Sequence, residues 1–225
     1  MRISVVIPTL NEACNIGQTL AQVRQAGGCQ IIAVDGGSDD GTPEIARRYA
    51  DVVLSSPRGR ARQMNAGAQV AAGEVLLFLH ADTVLPRGFP EILAQAFIDP
   101  EVVGGRFDVG LDAQGWSFRM IETFMNMRSR LTRIATGDQA IFVRREIFLA
   151  VGGYPEVDLM EDVELSRKLK RMGKIACLHT KVVTSARRWQ RDGVLKTIVL
   201  MWTLRLAHCL GVPPERLKMF YADTR

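Results

Sequence analysis

Ile3-Ser4-Val5-Val6-Ile7-Pro8-Thr9-Leu10-Asn11-Glu12 begins an alternation that decides the fold. Ile3 to Ile7 is a short β-branched run, as expected of a buried strand. Asn11 to Ala26 follows with Ile16, Leu20 and Val23 at helical spacing, and Gly27-Gly28 stops it. The same unit recurs. Gln30 to Val34 reads as a strand, and Thr42-Pro43 opens a helix with an N-cap and a first-turn proline. Val52 to Leu54 is a third strand, Gly59 to Ala72 a third helix closed by Gly73, and Val75 to Leu79 an uncharged fourth strand. Strands alternating with helices imply an α/β fold with a mostly parallel, Rossmann-like sheet covered by helices on both faces.

Sheets of this kind bind ligands beyond the carboxyl ends of their strands. The loops there read Pro8-Thr9-Leu10-Asn11-Glu12, Asp35-Gly36-Gly37-Ser38-Asp39-Asp40-Gly41-Thr42 and His80-Ala81-Asp82-Thr83. Three successive strands thus deliver Glu12, Asp35 and Asp82 to one rim, in a chain of net charge +5. Turn and capping chemistry accounts for Asp39, Asp40 and Thr42, but less well for Asp35, which directly follows Ile31-Ile32-Ala33-Val34. Asp82 follows the apolar run Leu76 to Leu79, where a carboxylate needs a partner or a cation. Mg²⁺ or Mn²⁺ takes one or two carboxylates together with phosphate oxygens and water, and Asp82 suits that role. His80 is a second candidate ligand, although a histidine at a strand end is more often held by ordinary hydrogen bonds. Arg58, Arg60 and Arg62 crowd the start of the third helix against its dipole, which hints at a missing anion such as a diphosphate.

The chain of 225 residues, 47% apolar, is long enough for one well-filled core. Cys14, Cys29, Cys177 and Cys209 lack zinc spacing and read as free thiols of a reducing cytoplasm. The N-terminus carries no secretory signal, and no apolar run reaches spanning length. Val194 to Val212, interrupted by Lys196, Arg205 and His208, reads as a terminal helix. It is suited to lying on the inner face of a membrane beside a lipid acceptor, to closing the core, or to forming a homodimer interface. Basic clusters, including Arg128/Arg130/Arg133 and Arg187/Arg188/Arg191, come without interleaved aromatics or a nucleic-acid motif, so nucleic acid ranks last among anionic partners. Neither a dinucleotide fingerprint nor a P-loop is present.

The second half is less regular. Val102 to Val109 reads as extended, Trp116 to Arg133 as mixed helical, Ala140 to Val143 as a strand and Arg144 to Val151 as a helix. Glu161 to Met172 is a helix and Ile175 to Val183 a strand.

In order and spacing, the three loops, followed by Gly137-Asp138-Gln139-Ala140 and Met160-Glu161-Asp162, resemble the motifs of family 2 glycosyltransferases. The compact length also resembles a small bacterial subgroup of selenodomain-associated transferases. The resemblance runs to Trp189 and implies a GT-A fold in one domain. Residues 1–85 would bind the nucleotide-sugar, 86–192 would carry the acceptor and catalytic side, and 193–225 would form a C-terminal helical segment. It implies inverting, metal-assisted transfer of a single sugar from a UDP- or GDP-type donor to a small-molecule or lipid acceptor. Pro8, Thr9, Asn11, Glu12, Asp35 and Gly37 would lie along the base and ribose. Arg58, Arg62 and Arg187 would approach the diphosphate, with His80, Ala81 and Asp82 beside it and Asp82 on the metal. Gly137, Asp138, Gln139 and Trp189 would meet the acceptor, and Asp162, with Glu161 next to it, would supply the base.

Three departures stand out. His80 replaces the usual Asp of the metal motif; Ser185 stands where processive members have glutamine before Arg188-Trp189; and Arg187 occupies the place where some relatives put a metal-binding histidine. Asp162 also suits helix capping. A nucleotidyltransferase making a nucleotide-sugar, which would want a glycine-rich basic first loop, and a non-catalytic nucleotide-sugar-binding protein are the alternatives.

Overall fold

The computed structural model describes residues 1–157, 159–213 and 216–217. Strand β1 (Ile3–Thr9) pairs in parallel with β2 (Cys29–Asp35) on one edge and with β4 (Val75–Phe78) on the other. Beyond β2 lies β3 (Val52–Ser55), also parallel. Past β4 the direction changes: β7 (Phe142–Arg144) is antiparallel both to β4 and to β6 (Val102–Leu111). β8 (Lys174–Thr184) runs parallel to β6, and the two-residue β5 (Thr83–Val84) closes the far edge antiparallel to β8. The eight strands follow the order β3-β2-β1-β4-β7-β6-β8-β5.

The strand period of two sorts the apolar side chains onto two faces. Ile3, Val5, Ile7, Ile31, Ala33 and Leu77 join one core, where α1 (Ala13–Ala26) supplies Ile16, Leu20 and Val23. Val6, Ile32, Val34, Leu76 and Phe78 join the other, where α3 (Arg60–Val70) supplies Ala61, Met64 and Ala68. Each large aliphatic residue buried in this way contributes about 1.5–3 kcal/mol. Between these helices comes the short α2 (Thr42–Ala46).

α4 (Phe89–Ala96) is a helix that the sequence pattern did not announce. It buries Phe89 and Leu93 over only eight residues, too short a run for periodicity to stand out. α5 (Trp116–Thr132), α6 (Arg145–Ala150) and α7 (Glu161–Leu169) follow, and α8 (Arg187–Asp192) leads into α9 (Val194–Cys209). α9 covers most of the expected terminal helix, while residues 214–215 and 218–225 of the expected C-terminal segment lie outside the described residues. Among the described residues, no helix is long and apolar enough to cross a membrane.

Two local expectations are corrected. Thr42 is not the N-cap of α2: Gly41, in the left-handed region at φ 82°, holds that position. The Thr42 hydroxyl instead accepts the Glu12 N–H at 2.9 Å, a tertiary bond that local pattern does not reveal. Gly73 does not end α3, which stops at Val70. It is a glycine because β1 passes against it, and a Cβ there would lie 2.6 Å from the Ser4 backbone nitrogen. Gly73→Ala is therefore expected to cost about 1–3 kcal/mol by overpacking, lowering the thermal unfolding midpoint by several degrees in a calorimetric scan.

Candidate active site

The loops after β1 and β2 lock into one pad. Asn11, left-handed at φ 53°, donates its N–H to Ser38 Oγ at 2.9 Å, and its Oδ1 accepts the Asp39 N–H at 3.1 Å. Behind this pad sits Asp35, buried, with Oδ2 accepting the Gly37 and Ser38 N–H groups at 2.9 Å each and Oδ1 accepting the Thr9 hydroxyl at 3.3 Å. Pro8, Thr9, Asp35 and Gly37 therefore build the floor and turn of the pad, while Leu10, Asn11 and Glu12 face a cleft of about 1430 Å³. Gln63, which the sequence reading passed over, ties α3 to this floor through bonds from Nε2 to the Thr9 and Val34 carbonyls at 2.7 and 2.8 Å.

The cleft brings Asn11, Glu12, Arg58, His80, Ala81 and Asp82 together with Gly137, Asp138 and Asp162 from the other half of the chain. Beside the loops after β1 and β4, the Arg187 guanidinium donates to Asp82 Oδ2 at 2.9 Å and to Glu12 Oε2 at 3.5 Å. Burial works against the charge on Arg187, but its bond to Asp82 and the Glu12 carboxylate outweigh this and raise its pKa. Two carboxylates from different loops thus converge on one cation. Among the described residues, no three His, Cys, Asp or Glu side chains gather into a metal cage. An Asp82 carboxylate with Glu12 beside it is nonetheless the oxygen-donor set that Mg²⁺ or Mn²⁺ accepts when phosphate and water complete the shell. His80 lies elsewhere in the cleft, pressed against the backbone of Gly137, where a Cβ would lie 2.6 Å from His80 Nε2.

The arginines at the start of α3 find their anions within the protein. Arg60 pairs with Glu161 at 2.6 Å and Arg62 with Glu156 at 3.3 Å. The anion inferred from the sequence for these two arginines is supplied by carboxylates that lie far along the chain. Arg58 and Arg62 still line the cleft. Glu161 is buried in its ion pair with Arg60; burial, outweighing that guanidinium, lifts its carboxyl above the usual range. Glu161 also lines the cleft, and its Oε2 meets no hydrogen-bond partner among the described residues.

Asp162 does not cap α7: Met160, left-handed at φ 67°, takes the N-cap position. Asp162 Oδ2 accepts the Gly137 N–H at 2.8 Å and Oδ1 accepts the Val163 N–H at 2.7 Å. These two bonds aim the carboxylate, and each oxygen retains acceptor capacity. Gly137 to Gln139 forms a 3-10 turn. Gln139 is fully buried, with Oε1 accepting the Thr136 N–H at 3.2 Å, so it supports the turn and does not reach the cleft. Asp138 does line the cleft; burial first, then the neighbouring Asp162 charge, raises its pKa against the bond from Thr136.

Trp189 also lines the cleft, next to Arg188 on α8. Two further arginines face the same space, Arg128 from α5 and Arg205 from α9. Arg128 is pushed down to about 10 by burial and by the charge of Arg205. The basic cluster Arg128/Arg130/Arg133 divides in three dimensions. Arg130 pairs with Asp108 and His179, Arg133 bonds the Ile175 carbonyl at 2.9 Å, and Arg128 alone enters the cleft. Helical phase separates them, but which phase faces inward depends on how α5 packs.

Residues 4–152, well over half the chain, match the family described as Glycosyl transferase family 2. The chain is 28% identical over 172 residues to the glycosyltransferase AglE of Haloferax volcanii, covering 68% of this chain and 56% of that protein. It is 30% identical over 160 residues to a PGL/p-HBAD biosynthesis glycosyltransferase of Mycobacterium tuberculosis, covering 67% and 62%. It is 31% identical over 191 residues to the succinoglycan biosynthesis protein ExoA of Rhizobium meliloti, covering 75% and 58%. The matched region therefore spans a little over half the length of these curated relatives. Among solved structures, S. aureus TarS superposes with a TM-score of 0.66 at 19% identity, covering 82% of this chain and 37% of that one. The mannosyltransferase PcManGT of Pyrobaculum calidifontis, in complex with GDP-Man and Mn2+, gives 0.65 at 22% identity, covering 80% and 56%. At these identities the likeness shows the fold, which is GT-A. The ordered rim loops, the shared cleft and the sequence match over residues 4–152 lead to one conclusion: the chain belongs to glycosyl transferase family 2.

Proposed function

We propose that this chain transfers a single sugar from a nucleotide-diphosphate donor to an acceptor hydroxyl by an inverting displacement, with Asp162 as the base. The observation that carries the reading is one cleft that holds Asp82 and Glu12 on the donor loops and an oriented Asp162 on the acceptor side. The solved structures of the same fold in complex with UDP-GlcNAc and with GDP-Man support a UDP- or GDP-type donor.

In this reading the nucleoside lies on the pad formed by the loops after β1 and β2, and Asn11 and Glu12 meet it. Arg58 and Arg187 face the diphosphate. Asp82, with Glu12 beside it, would hold Mg²⁺ or Mn²⁺, which when bound neutralises charge growing on the leaving diphosphate. The acceptor hydroxyl donates to a remaining lone pair of Asp162. As its oxygen bonds to the anomeric carbon, the bond from that carbon to the diphosphate oxygen breaks and the proton passes to Asp162. His80 and Gly137 couple the two halves: the imidazole braces the turn whose N–H orients Asp162. Holding both substrates in line supplies much of the remaining acceleration.

Asp162→Asn is expected to lower turnover by about 10²- to 10⁴-fold while UDP or GDP still raises the unfolding midpoint. Full turnover in that variant would remove Asp162 from the chemistry. Arg187→Ala leaves Asp82 and Glu12 without their shared cation. Nucleoside diphosphate affinity should fall roughly tenfold without added metal, and Mn²⁺ should restore most of it, as read by calorimetric titration. Unchanged affinity with and without Mn²⁺ would place the diphosphate elsewhere.

A further inference from the structure

The acceptor wall of the cleft is built from α5 and α9, and both helices carry the same pattern. Phe124 and, one turn on, Arg128 line the cleft from α5; Trp202 and then Arg205 line it from α9. Buried atoms Nε and Nη2 of Arg128 and Nε of Arg205 meet no hydrogen-bond acceptor among the described residues. Asp138 and Asp162 face Arg128 electrostatically, yet those guanidinium donors are left unused. Buried donors without acceptors are costly, and two neighbouring arginines form a fork suited to phosphate oxygens.

The apolar half of the pattern does not stop at the cleft. Phe124 and Trp202, 53% and 61% exposed, lie both in the cleft lining and on the outer surface. On α5, Trp116, Met120, Phe124, Met127 and Leu131 recur at helical spacing and are all exposed. On α9, Val199, Trp202 and Leu206 do the same. An apolar surface that runs outward from a buried cationic pair marks a binding surface rather than scattered exposure. The arginine pair argues against a neutral apolar partner, and the apolar stripes argue against a free anion.

We propose that the wall between α5 and α9 receives an acceptor whose hydroxyl-bearing head is joined through a phosphate to an apolar chain, presented from a lipid surface, with the phosphate on Arg128 and Arg205, the chain along Phe124 and Trp202 and the hydroxyl toward Asp162. The proposal rests on the transfer reading of the same cleft and names its acceptor class. The exposed apolar stripes would rest in the interfacial layer of the bilayer, as amphipathic helices with basic residues do.

The test titrates the full chain with farnesyl phosphate, farnesol and inorganic phosphate, followed by calorimetry and tryptophan fluorescence. Farnesyl phosphate is expected to bind at least about tenfold more tightly than either of the others, since each carries only half of the recognition. Arg128→Gln with Arg205→Gln should bring its affinity down to that of farnesol, and Arg128→Lys should retain part of it. Should the double variant fail to fold, the wild-type ligand series decides alone. Phosphatidylcholine vesicles doped with a polyprenyl phosphate should sediment the protein, and undoped vesicles should not. Equal affinity for farnesol and farnesyl phosphate, equal affinity for inorganic phosphate, or equal partition onto both vesicles would overturn the proposal. Competitive displacement of farnesyl phosphate by UDP or GDP would also overturn it, because the arginines would then belong to the donor diphosphate. Nucleoside diphosphate binding, measured separately on the wild-type chain, keeps the two readings apart. If farnesyl phosphate binds and no nucleoside diphosphate does, the donor reading fails and the lipid-phosphate site stands.

Discussion

The parallel pairing of β1 with β2 and β4 is the constraint on which the site depends. Hydrogen bonds on both edges of β1 set a register in which Thr9 stands opposite Asp35. A parallel ladder sends each chain out of the sheet at the same rim. The loops that carry Glu12, Asp35 and Asp82 are therefore neighbours, although long stretches of chain separate them. A slip of one residue would exchange the two faces of β1 and turn Val5 and Ile7 toward the core now filled by Val6. The two packed cores thus protect the geometry of the rim as well as the stability of the domain.

On that rim the protein spends its carboxylates differently. Asp35 is consumed in shaping its own loop, Glu161 in holding Arg60, and Glu12 and Asp82 in sharing Arg187. Asp162 is aimed by two backbone N–H groups, and each of its oxygens keeps acceptor capacity. The distinction is one of hydrogen-bond accounting. Asp35, whose two oxygens are both taken by donors of its own rim, belongs to the frame, whereas Asp162 faces the cleft with open lone pairs. His80, which the family resemblance sets where a metal-motif Asp is usual, packs against Gly137, whose N–H binds Asp162.

Much of the fold was legible in the residues. The strands and helices through Val75–Phe78 fall within a few residues of their expected bounds, because the strands are mostly apolar runs and α1 and α3 each carry an apolar face. The second half gave weaker signals. α4 is short, β5 has two residues, and the reversal at β7 that makes the sheet mixed leaves no local mark. Of the site, the sequence pointed to Glu12, Asp82, Arg187 and Asp162, all of which meet in the cleft. It also pointed to Gln139, which the structure buries beneath the turn, and it did not separate Arg128 from Arg130 and Arg133.

The sequence by itself determined the α/β alternation, the rim at which its acids gather and the family to which its motifs point, because periodicity and spacing are local properties that survive without coordinates. Only the tertiary structure decided what each charge does. An ion pair such as Arg60 with Glu161, or a bond such as Gly137 to Asp162, joins residues whose separation along the chain carries no information about their distance in space. Whether a charged side chain is saturated, buried or open depends on that distance, and so does its role.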